Sequence, residues 1–145
     1  MLVRIGQEVQ EVPRGVEPSS TQTDLVRRFY EAFNAEDLEA FVDTLHPHVE
    51  LQTARGLRIG LAEARAWATR TPAGDLRQRF AVEELIEEGN HVVALVRQQW
   101  RWKESEELAE EQEVAALFTF EGGSIARWQP FTERAEALRA VGIEP

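Results

Sequence analysis

The sequence predicts an α+β domain in which helices pack on one face of a curved, mostly antiparallel sheet. Three observations carry that prediction. Apolar residues recur at helical spacing from Leu25 to Leu45 and again after Leu61. From Phe80 onward they alternate with period two over four runs. Tight turns, Gly89 with Asn90 and Glu121 with Gly122 and Gly123, separate neighbouring runs. Helices first and then a meander of strands is the pattern of a layered α+β domain.

The elements follow in chain order. Residues 1–19 read as an extension, either a strand-like arm or a leader, because Leu2, Val3, Ile5, Val9 and Val12 alternate with polar residues before Pro13, Gly15 and Pro18. An arm docked on the body or on a partner is the favoured reading. The domain proper spans 20–145. Thr21 or Thr23 caps a first helix whose stripe is Leu25, Val26, Phe29, Tyr30 and Phe33. Asn34 and Ala35 end it. A second helix carries Leu38, Phe41, Val42 and Leu45 and stops at Pro47. Val49, Leu51 and Thr53 alternate as a short strand, and Gly56 and Gly60 bracket a turn. A third helix over 61–70 presents Ala64, Trp67 and Ala68 on one side and is closed by 71–74. Strands are predicted over 80–86, 92–102, 114–120 and 125–131, with the acidic stretch 103–113 as a loop and frayed strand ends. A last helix over 133–141 ends at Gly142.

Composition excludes several functions. The chain has 145 residues, a net charge of −10 and no cysteine. Disulfide frameworks, thiolate nucleophiles and Cys-containing zinc sites are therefore out. An acidic surface disfavours nucleic acid and anionic membranes, both of which need a basic face. No apolar run reaches ~18 residues, the length that spans a bilayer. The N-terminus lacks the features of a secretory signal. The expectation is a soluble, cytoplasmic protein.

The order of elements, with FYEAFNAEDLEAFVDTLHPHVEL and FTFEGGSIARWQPFTERAEALRAVGI, resembles the nuclear-transport-factor-2-like superfamily and, within it, the SnoaL-like proteins. The likeness rests on the helix junction Asn34, Ala35, Asp37, Leu38 and on the hairpin residues Phe118, Phe120, Gly123, Ile125 and Trp128. It covers about residues 20–145. It implies a cone, with the sheet wrapped around the long first helix and a pocket at the open end. It also implies dimers through the convex face.

The resemblance does not bring its chemistry with it. The positions of the isomerase members' base and oxyanion pair fall on Leu51, Phe29 and Ala116, which hold no suitable group. The epoxide hydrolases' Asp-Arg-Asp positions fall on Gln98, Val96 and Pro130, although Trp128 matches a pocket tryptophan. The cyclases' acid after tryptophan falls on Thr132. The family register turns Ala94, Val96, Gln98, Trp100 and Trp102 inward, with Gln112, Val114, Ala116, Phe118 and Phe120 on the next strand. The ligand pocket predicted from it is Phe29, Phe33, Leu51, Trp67, Val96, Gln98, Trp100, Gln112, Ala116, Phe118, Trp128 and Pro130. The expected ligand is a small apolar or aromatic molecule. In an enzyme reading (isomerase, cyclase or hydrolase), Gln98 and Gln112 orient the substrate and Tyr30, His46 or His48 carries the proton. In a third reading the aromatics fill the cone of a structural or interaction module. No cofactor is expected. Nor is a metal site: His46 and His48 lack a third ligand, and the Glu-rich stretch lacks the spacing of a calcium loop. Apolar Val93, Leu95, Ala115 and Leu117 beside Arg97, Arg101 and Glu113 on the outward face predict a homodimer surface.

Overall fold

In the computed structural model, which describes residues 3–5, 21–69 and 75–144, the first apolar stripe belongs to one long helix, α1 (Thr21–Ala35). Leu25, Val26, Phe29, Tyr30 and Phe33 are all buried on its inner side, as residues three and four apart share one helix face. The chain leaves α1 through Glu36. Asp37 then caps α2 (Leu38–Asp43) by accepting the Ala40 N–H at 3.2 Å.

Leu45, expected on the second helix, instead opens β2 (Leu45–Thr53). The helix ends early because the Thr44 hydroxyl donates to the Phe41 carbonyl at 2.7 Å. Pro47 therefore lies in a strand. It falls where the pairing of β2 with β7 (Ser124–Phe131) shifts register, between Leu45 and Glu50, and a missing N–H is tolerated at such an irregularity. The segment between Gly56 and Gly60, expected as a turn, is the short strand β3 (Gly56–Ile59), paired with β2 from Glu50–Ile59 to Thr53–Gly56. Next, α3 (Leu61–Thr69) buries Ala64 and Trp67. Residues 71–74, expected to close it, lie outside the described residues.

The long strands β4 (Leu76–Glu88), β5 (His91–Trp102) and β6 (Leu108–Glu121) form the body of the sheet. Of the N-terminal extension, Val3–Ile5 forms β1 and pairs with Leu85, Ile86 and Glu87 of β4; its other residues lie outside the described set. The sheet has seven strands in the order β1-β4-β5-β6-β7-β2-β3. Among the described strands only β2 and β7 run parallel.

Much of the acidic stretch expected as loop is strand. Glu113, Gln112 and Glu111 pair with Arg97, Gln98 and Gln99. Arg97 Nη2 lies 2.9 Å from Glu113 and Gln99 Nε2 donates to Glu111 at 2.9 Å. The ribbon is polar on both sides, so no apolar alternation marks it.

The sheet curves around α1, and one core fills the concave side, from Val26 and Phe29 to Val96, Phe118 and Trp128. The opposite side is covered in part by α4 (Arg134–Ala140). Ala137, Leu138, Val141 and Ile143 pack there against Ile86, Val93, Leu95, Ala115 and Leu117. The apolar residues that suggested a dimer surface are thus covered by the chain's own last helix. Arg134 fastens it, donating to the carbonyls of Val96 at 2.8 Å and Val114 at 3.0 Å. No helix among the described residues is long and apolar enough to cross a membrane.

Candidate functional site at the mouth of the cone

Strand registers orient the cone. The β4–β5 turn lies at its narrow end, where Gln22 of α1 donates to the Gly89 carbonyl at 3.1 Å. The β6–β7 turn is beside it, since the Phe120 N–H donates to the Asn90 carbonyl. The wide end is built from the last turn of α1, the start of α2, the end of α3 and the start of β4.

Inside the cone the described aromatic residues pack ring against ring. Phe29, Leu51, Val96, Ala116, Phe118, Trp67 and Trp128 are all buried in the core. Ring centroids lie 4.9 Å apart for Trp67–Trp128, 5.1 Å for Phe29–Phe118 and 5.2 Å for Phe33–Trp67. These are the separations of well-packed aromatic pairs. Among the twelve residues expected to line one pocket, Phe33 alone borders the cavity described below. Gln98 and Trp100 are half-buried, and Gln112 and Pro130 are exposed. The strands carrying Gln98, Trp100 and Gln112 run on past the core, so correct alternation places these side chains beyond the packed interior. Gln98 accepts a hydrogen bond from Gln78 Nε2 at 3.2 Å.

The proton-carrier candidates do not meet at a site. Tyr30 is fully enclosed, and its hydroxyl accepts from Trp128 Nε1 at 3.4 Å. Burial pushes the phenol well above the usual tyrosine range, and the Trp128 hydrogen bond offsets this only in part. It is the one titratable side chain among the buried described residues. His46 and His48 lie in β2 rather than in a loop. Leu45 pairs with Ile125, just past the β6–β7 turn, so the histidines stand toward the narrow end, away from the mouth. The His46 ring Nδ1 accepts the His48 backbone N–H at 3.0 Å, and the two rings are 5.8 Å apart. No cluster of three or more His, Cys, Asp or Glu suited to a metal occurs among the described residues.

A cavity of about 350 Å³ opens at the wide end. Ala32, Phe33, Leu38, Phe41 and Ala68 form its apolar floor, and Glu36, Asp37, Arg77, Gln78, Arg79 and Lys103 surround it with Thr69. Asn34 sets the gap between α1 and β4. Its amide donates to the Phe80 carbonyl at 2.7 Å and accepts the Phe80 N–H at 2.9 Å. Those two bonds satisfy backbone groups of β4 on the side where no described strand pairs with Phe80.

The rim is an ordered charge array. Glu36 Oε2 lies 3.2 Å from both Arg77 Nε and Arg79 Nη2. Arg77 Nη1 lies 2.7 Å from Glu106 of the β5–β6 turn. Arg79 Nη1 also donates to the Gln78 carbonyl at 3.0 Å. Glu36 and Glu106 are the two non-glycine residues with positive φ among those described, at 59° and 64°. Both hold Arg77.

Sequence reasoning missed this rim. The strand expected over 80–86 begins at Leu76 instead, so Arg77 and Arg79 fall outside the expected span, and alternation within β4 sets them apart from Gln78 and Phe80. They reach the mouth at the start of β4, which only β5 pairs with among the described residues. The available signal was the pair of basic residues two apart at a strand start, together with the acidic Glu36-Asp37 junction.

The sequence pattern of the SnoaL-like domain matches residues 26–128. Solved structures share the fold. One is an NTF2-like protein of unknown function from Burkholderia pseudomallei, 24% identical with a TM-score of 0.67, the match covering 86% of this chain and 99% of that one. Another is TerC co-crystallized with polyporic acid, 21% identical with a TM-score of 0.66, over 84% and 98% of the two chains. A third, of ketosteroid isomerase-like fold from Catenulispora acidiphila and in complex with trimethylamine, is 17% identical with a TM-score of 0.64, over 83% and 93%. No protein of curated function matches the sequence significantly.

Proposed function

The chain belongs to the SnoaL-like domain family, and from that premise we propose that it binds a small apolar or aromatic molecule in the cavity at the mouth of the cone. The observation that carries this reading is the cavity itself, about 350 Å³ with an apolar floor and a polar rim. It lies within the roughly 300–1,000 Å³ range of small-molecule pockets. The packed interior supports binding over acid–base turnover inside the cone, because Tyr30, the one titratable group among the buried described residues, is held as a neutral phenol.

Thermal melting with naphthol, a neutral aromatic probe, tests the reading. A ligand that binds only the native state raises the melting temperature with concentration. Ala68 is half-buried and lines the floor without belonging to the deep core. In Ala68→Phe the added ring fills the cavity, so the naphthol shift disappears while the unliganded protein still melts cooperatively. No shift in the native protein, or an equal shift in Ala68→Phe, overturns the proposal.

A further inference from the structure

We infer that the mouth cavity selects molecules carrying a carboxylate beside their apolar body, and that Glu36 sets the strength of that selection by competing for the same arginines. The inference rests on the cavity reading above and names the ligand class for it.

Three cations, Arg77, Arg79 and Lys103, and two carboxylates, Glu36 and Asp37, line the cavity. The carboxylates are engaged within the protein. Asp37 caps α2 through the Ala40 N–H, and a single oxygen of Glu36 serves both arginines. The arginines keep capacity to spare. Arg77 meets Glu36 through Nε and Glu106 through Nη1, and its Nη2 is bonded to no other described residue. A guanidinium carries five N–H donors in a planar fork that fits a carboxylate.

The backbone adds an independent observation. Glutamate gains nothing from the left-handed region, and a side chain there costs roughly 1–2 kcal/mol. Glu36 and Glu106, the two non-glycine residues that occupy it among those described, both fix the same arginine. Strain of this kind persists where surrounding structure holds it, and it clusters at ligand sites. Here it holds Arg77 at the rim instead of leaving a long side chain free in solvent. In a chain with a net charge of −10, an anion is drawn to the mouth by this local array and not by the overall field.

A ligand whose apolar body stacks on the Phe33 and Phe41 floor would bring its carboxylate to Arg77, Arg79 and Lys103 at the rim. It would share the arginines with Glu36. Removing that charge while keeping the side chain's length and an acceptor oxygen, as in Glu36→Gln, strengthens carboxylate binding. Removing an arginine weakens it.

Calorimetric titration with three probes of one shape tests this: naphthoate, neutral naphthamide and cationic naphthylmethylammonium. Naphthoate should bind about tenfold tighter than the amide, the worth of one charge-assisted hydrogen bond. Arg77→Gln should cut that preference several-fold while leaving amide binding in place, which also reports that the variant is folded. Glu36→Gln should tighten naphthoate several-fold and leave the amide unchanged. Equal binding of naphthoate and amide, tighter binding of the ammonium probe, or an unaltered naphthoate affinity in Glu36→Gln each overturns carboxylate selection and leaves the cavity reading standing. If none of the three probes binds, both fall.

Discussion

Trp128 Nε1 donates to the Tyr30 hydroxyl at 3.4 Å, joining the last strand to the first helix in the centre of the ring cluster. The bond is long, so its intrinsic strength is small. Its weight comes from enclosure, because both side chains are buried. Tyr30 packs edge-on against Phe29 at 5.1 Å and lies 5.0 Å from Phe80.

A first prediction follows from this pair. Tyr30→Phe keeps the ring and strands the indole N–H, which costs about 1–3 kcal/mol. Trp128→Phe costs more, because it also removes ring volume. The double variant should lose less than the sum of the two, as measured by urea unfolding. Titration adds a second readout, as Tyr30 is the chain's one tyrosine. Burial raises its folded pKa above the ordinary 10.0. A raised folded pKa contributes stability that is complete below the unfolded value and is lost as pH rises beyond it. Tyrosinate absorbance should therefore appear together with loss of near-ultraviolet circular dichroism above pH 10.0, not before it. Titration of a still-folded protein at the ordinary value would contradict the enclosure.

Acid should loosen the other side of the sheet. Glu83 is held below its ordinary 4.5 first by the hydrogen bond from Arg134 and then, against a desolvation penalty, by Arg97. Arg134 Nη2 lies 2.6 Å from Glu83. A lowered carboxylate pKa contributes stability that is present above the unfolded value and is lost as pH falls through the folded one. The window is therefore acidic, opening near 4.5 and extending below it. In Glu83→Gln, stability should fall less steeply between pH 5 and pH 3 than in the native chain, a span set by the carboxylate range of roughly 4. Arg134→Met should cost about 2 kcal/mol at neutral pH, because the Val96 and Val114 carbonyls lose a charged donor. Hydrogen exchange should place that loss in α4 and the strands beneath it.

The sequence made the scaffold legible because burial is periodic. The stripe of α1, the alternation along β5 and β6 and the glycine turns all leave marks that survive without coordinates. The exceptions share one cause. Glu111 and Glu113 are in strand through backbone pairing and ion pairs, and Pro47 is in strand through a register shift; neither carries an apolar signal. The site was harder still. Inward-facing positions could be read, but whether inward means cavity or core depends on ring packing between Trp67, Trp128 and Phe33, which is a matter of volumes. The rim residues Glu36, Arg77 and Arg79 meet across about forty residues of chain, a closure no local pattern encodes.

Glu36 offers the sharpest test of how that rim is maintained. Its φ of 59° suits glycine, and there is open helix terminus rather than packed core around it, with the side chain 59% exposed. Exposed ion pairs contribute about 0–1 kcal/mol each, while glycine at a left-handed position relieves roughly 1 kcal/mol or more. Relief should win narrowly. Glu36→Gly is expected to raise stability by about 0.5–1 kcal/mol, whereas Glu36→Ala, which keeps the strain and loses both arginine contacts, should lower it by a similar amount. Denaturant midpoints of the two variants decide the matter. If glycine proves less stable than glutamate, the Arg77 and Arg79 contacts outweigh the backbone strain, and Glu36 is there for stability alone. If glycine wins, the native glutamate is held at a cost to the fold, as a residue retained for the chemistry of the mouth would be.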